Sequence, residues 1–139
     1  MTKAKANQNH GITILVVDDD DLVRDLFGDW LEAEGYTVRK APNCQAAFRG
    51  LQEAPVSLIV SDMFMPGPCG AAAIAQFRRA APYVPVIALS GYFNAGVVMG
   101  AGDALAAGAA RALAKPLRRE QLLRAVSELI GQPVAACSP

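Results

Sequence analysis

Residues 12–21 read ITILVVDDDD. An unbroken apolar, β-branched run is the pattern of a strand buried on both faces. It stops abruptly at Asp18, Asp19, Asp20 and Asp21. Beyond the acids, Leu22, Val23, Leu26, Phe27, Trp30 and Leu31 recur at helical spacing, and Gly35 stands at the helix stop. Tyr36–Lys40 reads as a short second strand, and Asn43 can cap a helix carrying Ala46, Ala47, Phe48 and Leu51. Pro55 ends that unit. Val56–Val60 reads as a third strand and leads into Ser61-Asp62. A Pro/Gly loop follows, then a helix with Ala73, Ile74 and Phe77 on one side and Arg78 and Arg79 on the other.

Pro85–Leu89 reads as a fourth strand, ending at Ser90-Gly91. Residues 94–108 are rich in Ala and Gly, so a helix there is expected to be marginal. Ala109–Ala114 is expected to be a fifth strand although alanine is a poor strand former, and it runs into Lys115-Pro116. Leu122, Leu123, Val126, Leu129 and Ile130 make a closing amphipathic helix, ended by Gly131 and Pro133. Short apolar strands alternating with helical patterns imply βαβ units, and therefore a parallel sheet covered on both faces.

Composition agrees with this reading. The 139 residues are 53% hydrophobic, which excludes wholesale disorder, and their number fits one domain. Thirteen basic and thirteen acidic side chains argue against a nucleic-acid binder that relies on a bulk basic field. Cys44, Cys69 and Cys137 have no C-x-x-C spacing, so neither a disulfide framework nor a zinc site is expected, and a reducing cytoplasm suits them. Residues 1–10, with the lone His10, read as a solvent-exposed tail without the apolar core of a secretion signal. The uncharged stretch from Ala80 to Gly102 is interrupted by Pro82, Pro85, Gly91, Gly96 and Gly100, which argues against membrane insertion.

In an open parallel sheet, sites form outside the carboxyl ends of the strands. Here those ends carry Asp18 and Asp19, then Asp62, Ser90 and Lys115. Carboxylates sharing a small pocket repel one another, and a hard cation such as Mg²⁺ relieves the repulsion. A carboxylate can attack phosphorus to give an acyl phosphate. A lysine and a hydroxyl can then meet the incoming phosphoryl oxygens. Phosphoryl transfer is mostly positioning and charge neutralisation, so this short set suffices for it.

Four stretches, ITILVVDDDDLVR (12–24), LIVSDMFMPGPCG (58–70), VIALSGY (86–92) and ALAKP (112–116), resemble in order the motifs of the response-regulator receiver domain. The resemblance spans residues 11–131, with tails at 1–10 and 132–139. It implies a doubly wound, flavodoxin-like (βα)₅ fold of strand order 2-1-3-4-5. It also implies that Asp62 accepts the phosphoryl group. Asp18 and Asp19 would place Mg²⁺ (or Mn²⁺), Asp19 being the favoured direct ligand, and the Met63 backbone carbonyl and Asp62 would complete the protein ligands. Ser90 matches the phosphate-binding hydroxyl, Gly91 the small residue beside it, Lys115 the phosphate-pairing lysine, and Pro116 a cis-proline.

The donor implied is a histidine kinase or histidine phosphotransfer protein. The output implied is a contact with a downstream protein through the fourth helix, fifth strand and fifth helix, without nucleic acid. The chain is then expected to be a cytoplasmic signalling domain rather than a turnover enzyme. With 139 residues, it is expected to work as a stand-alone receiver.

The sequence departs from the family pattern in several places. Ala112 stands where receivers commonly carry an aromatic residue, so the hydroxyl–aromatic switch has no ring to move. Cys69 replaces an acidic residue before Gly70. Phe64 and Tyr92 lie two residues after Asp62 and Ser90, where two bulky rings would restrict the hydrolytic water and slow autodephosphorylation. Tyr92 and Phe93 are otherwise expected to pack under the fourth helix. Arg111, Arg118, Arg119 and Arg124 make the fifth βα unit basic, which reads as a solvated face with docking as the alternative.

Two other functions fit parts of the pattern. A phosphorylation-independent, receiver-like interaction domain would explain Ala112. A haloacid-dehalogenase-like phosphohydrolase would use Asp19 in a D-x-D-x-V motif, but the chain is short for that family and few carboxylates follow Lys115.

Overall fold

The computed structural model describes residues 12–63, 70–90 and 101–131. Its centre is β1 (Thr13–Val17), in which Ile14, Leu15, Val16 and Val17 are all buried. Alternate residues of a strand point to opposite faces, and both faces of β1 are covered. Ile14 and Val16 pack with Phe27, Leu31, Leu122 and Val126, whereas Leu15 and Val17 pack with Ala47, Val56 and Phe77. The continuous apolar run is therefore the consequence of helices on both sides.

The elements follow in strict alternation: α1 (Asp21–Ala33), β2 (Thr37–Ala41), α2 (Cys44–Glu53), β3 (Leu58–Asp62), α3 (Gly70–Ala80), β4 (Val86–Ser90), α4 (Ala101–Ala106), β5 (Arg111–Ala114) and α5 (Arg119–Ile130). All neighbouring strands are parallel, in the order β2-β1-β3-β4-β5. This is the expected doubly wound sheet. Helices α1 and α5 supply the Phe27/Leu122 side of the core, and α2 and α3 the Ala47/Phe77 side. A third cluster joins Met63, Ile74, Ala88, Ala104 and Ala109, with Ala107 and Ala112 against it. Among the described residues no helix is long and apolar enough to cross a membrane.

Local signals act as their chemistry requires. The Asn43 side chain accepts the Ala46 N–H at 2.8 Å and caps α2. Gly35 follows α1 with φ of 101°, a conformation that favours glycine.

Boundaries shift where backbone pairing extends beyond the apolar run. Strand β3 begins at Leu58 and includes Ser61 and Asp62, because the ladder needs only backbone groups and continues to the Met63 N–H, which donates to Leu89 O at 2.7 Å. Strand β5 starts at Arg111 rather than Ala109. The Ala109 N–H closes back on Ala104 O at 3.1 Å, and Gly108 turns the chain with φ of 118°. In α1, Leu22 is 82% exposed and Leu26 45% exposed despite their helical spacing. The face that meets the sheet is centred on Phe27 and Leu31, with Val23 and Trp30 at its margin.

Candidate functional site

Pairing between β1 and β3 sets Val17 opposite Ser61, so Asp18 and Asp62 stand side by side at the carboxyl edge of the sheet. Asp18 is 1% exposed and Asp62 is 7% exposed, whereas Asp19 is exposed. One carboxylate oxygen from each of these three residues lies within 4.8 Å of the others. That spacing suits a shared hard cation, for which oxygen donors are the appropriate ligands. The donor set thus fits the metal that the acidic pair implies.

Register then carries Lys115 to the same edge. Ser90, the last residue of β4, pairs with Ala114, and Lys115 follows at once. The Lys115 ammonium donates to Asp18 Oδ2 at 2.9 Å and sits 3.6 Å from Asp62 Oδ1. Burial alone would lower the lysine pKa. The hydrogen bond to Asp18 and the charges of Asp62 and Asp18 outweigh burial and hold it above the usual lysine value. Lys115 is therefore a fixed cation between two carboxylates. The Lys115-Pro116 peptide is cis, as the motif implied.

The four consecutive aspartates separate into distinct roles. Asp18 Oδ1 accepts the Asp20 N–H at 2.9 Å, which tightens the turn after β1. Asp20 caps α1 by accepting the N–H groups of Leu22 at 3.0 Å and Val23 at 3.2 Å. Asp21 pairs with Arg24 at 2.6 Å. That leaves Asp18 and Asp19 facing the pocket with Asp62. The capping role of Asp20 had a sequence signal, an aspartate directly before a helical pattern, but the acidic run obscured it. Arg24 was not singled out in the sequence at all. It lies within the ITILVVDDDDLVR stretch, and its guanidinium donates to the Asp18 backbone carbonyl at 2.7 Å.

Met63, directly after Asp62, is buried in the third cluster. Ala112 lies against that same cluster. Phe64, Cys69, Gly91, Tyr92 and Phe93 lie outside the described residues. Among the described residues, grooves lie away from the acids on two faces. The larger, about 540 Å³, runs between α2 and α3 and is lined by Phe48, Leu51, Gln76 and Arg79 among others. The smaller, about 190 Å³, lies on β5 and α5 between Arg111, Leu113, Arg124 and Glu128.

Residues 14–127 match the response regulator receiver domain family. The chain belongs to this family. The receiver is 31% identical over 114 residues to the NtrX-like response regulator of Rickettsia conorii, covering 81% of this chain and 23% of that protein. It is 32% identical over 114 residues to the response regulator protein FleR of Pseudomonas aeruginosa, covering 82% of this chain and 24% of that protein. It thus spans about a quarter of the length of these curated relatives. The crystal structure of the receiver domain of NtrX from Brucella abortus superposes on it with a TM-score of 0.77 and 28% identity, covering 84% of this chain and 97% of that one. The receiver family is a signalling domain, and Asp18, Asp19 and Asp62 form an acidic cluster in this chain.

Proposed function

We propose that this receiver takes a phosphoryl group onto Asp62 from the phosphohistidine of a histidine kinase or histidine phosphotransfer protein, with Mg²⁺ or Mn²⁺ bound in the pocket. One observation carries the reading. Three carboxylates converge within 4.8 Å at the carboxyl edge of a parallel sheet, and Lys115 contacts two of them. Attack of an Asp62 oxygen on phosphorus forms the O–P bond while the P–N bond of the donor breaks and the imidazole leaves with its electron pair. Asp18, Asp19, Asp62 and the Met63 carbonyl would hold the metal, which supplies neutralisation of charge on the phosphoryl oxygens. Lys115 then exchanges its contact with Asp62 for the phosphoryl group. Ser90 and Gly91 take the roles of hydroxyl donor and small neighbour that the receiver motif gives these positions.

The modification biases a two-state surface formed by α4, β5 and α5. Because Ala112 has no ring, the coupling runs instead through Met63 and the alanines packed around it on α4 and β5. The groove between Arg111, Leu113 and Arg124 is a contact point for a downstream protein on this face. Phe64 and Tyr92 restrict the hydrolytic water and lengthen the life of the acyl phosphate. The scattered cysteines fit a cytoplasmic setting. The phosphohydrolase alternative draws less support, since the Asp21 of its motif is paired with Arg24.

Incubation with acetyl phosphate and Mg²⁺, followed by intact-mass measurement, tests the proposal. One phosphoryl addition is expected in the native chain and none in Asp62→Asn. Absence of addition to the native chain overturns the reading in favour of a phosphorylation-independent interaction domain.

A further inference from the structure

Arg24 touches the acidic pocket from behind. Its side chain is only 14% exposed, and its two terminal nitrogens diverge. Nη1 donates to the Asp18 backbone carbonyl at 2.7 Å, and Nη2 donates to Asp21 Oδ1 at 2.6 Å. The guanidinium therefore spans the whole acidic turn, from its first residue to its last. The Asp18 carbonyl belongs to the peptide that joins Asp18 to Asp19, so this bond fixes the plane from which the Asp19 side chain departs. Other bonds hold the turn around it. The Asp18 N–H donates to Ala41 O at 3.2 Å, and the Asp20 N–H donates to Asp18 Oδ1 at 2.9 Å. Neither fixes the Asp18 carbonyl.

Lys115 and Arg24 are thus two cations with different positions. Lys115 sits on a carboxylate oxygen of the pocket. Arg24 leaves the carboxylates of Asp18 and Asp19 to the pocket and grips the backbone between them. A planar fork in a mostly buried setting is suited to such a brace, because its bonds are geometrically fixed and poorly replaced by water.

We propose that Arg24 is a positioning residue for the divalent cation: it orients the Asp18–Asp19 peptide so that both carboxylates meet one ion. This rests on the reading of the pocket as a metal site. Charge alone predicts the opposite effect of removing Arg24, since a guanidinium near the pocket repels a second cation. The sign of the change therefore separates the two accounts.

The experiment is isothermal titration of the phosphate-free receiver with MgCl₂ at a temperature well below its unfolding midpoint, so that a loss of global stability does not alter the reading. Arg24→Ala is expected to weaken Mg²⁺ binding by about tenfold, in line with partners that orient metal ligands. Arg24→Lys, which keeps the charge but not the fork, is expected to fall between Ala and the native chain. Unchanged or tighter binding in Arg24→Ala overturns the inference. If that variant does not fold, Arg24→Lys decides: weaker binding supports positioning, and native binding overturns it. Failure of the native chain to bind Mg²⁺ would instead overturn the metal-site reading itself.

Discussion

At the scale of the residue, the contact between Lys115 and Asp18 joins side chains 97 positions apart. It keeps a 1% exposed carboxylate in balance. Lys115→Met removes the ammonium and leaves two buried carboxylates facing each other. We expect a loss of about 3 kcal/mol in urea unfolding with chelator present, the low end for breaking a buried pair because Lys115 retains some exposure. If the pocket holds Mg²⁺ as proposed, the added ion is expected to restore part of it, since a ligand of the folded state alone stabilises that state.

The same contact predicts an alkaline limit. The Lys115 pKa is raised from 10.5, and that of Tyr36 is raised from 10.0 by burial and by the nearby Glu34 charge. A group whose folded pKa is raised contributes its full stability below its unfolded value and loses it as pH rises through the folded one. The thermal midpoint is therefore expected to decline above pH 10.0 and 10.5 in turn. The second part of that decline should be absent from Lys115→Met; a decline of equal size in both proteins would contradict the assignment.

At the scale of the element, α1 depends on Asp20 at its N-cap. Asp20→Ala is expected to cost about 1 kcal/mol, and Asp20→Asn much less. In the same proteins Mg²⁺ affinity should fall far less than in Asp19→Ala, because Asp20 spends its carboxylate on the Leu22 and Val23 amides. Comparable loss of metal binding in Asp20→Ala and Asp19→Ala would refute this division of labour. Elements were mostly legible from the sequence because their signals are local. Asn43 announced α2 and Gly35 ended α1. The ends of β3 and β5 were not, because a strand stops where its neighbour stops offering backbone groups. Hydropathy placed the end of β3 before Ser61, whereas pairing carries it through Asp62.

At the scale of the whole molecule, the pocket trades stability for chemistry. Asp62 is buried beside Asp18 and Asp19, and metal-free protein bears the resulting repulsion. Asp62→Asn is expected to raise stability by about 1 kcal/mol without metal, as substitutions at strained functional sites commonly do. The same variant should lose most of the Mg²⁺-dependent rise in unfolding midpoint. A drop in metal-free stability would show that the Asp62 carboxylate is a net structural support.

The amino-acid sequence by itself determined the alternation of strands and helices, the double-faced burial of β1, and the placing of acids and a lysine at strand ends. Each is written in local periodicity, which a chain of apolar and polar residues carries without reference to its fold. The receiver motifs already pointed to Asp18 and Asp19 for the pocket; only the tertiary structure decided that Asp20 caps α1, that Asp21 pairs with Arg24, and that Arg24 braces the backbone of the turn. Asp18, Asp19, Asp20 and Asp21 are identical as residues. Their roles differ because Ala41 approaches Asp18 from β2 and Lys115 from just beyond β5, while the first turn of α1 claims Asp20 and Arg24 claims Asp21. Local pattern does not name the distant partners of Asp18, since parallel pairing decides which backbone and side-chain groups are brought to one edge.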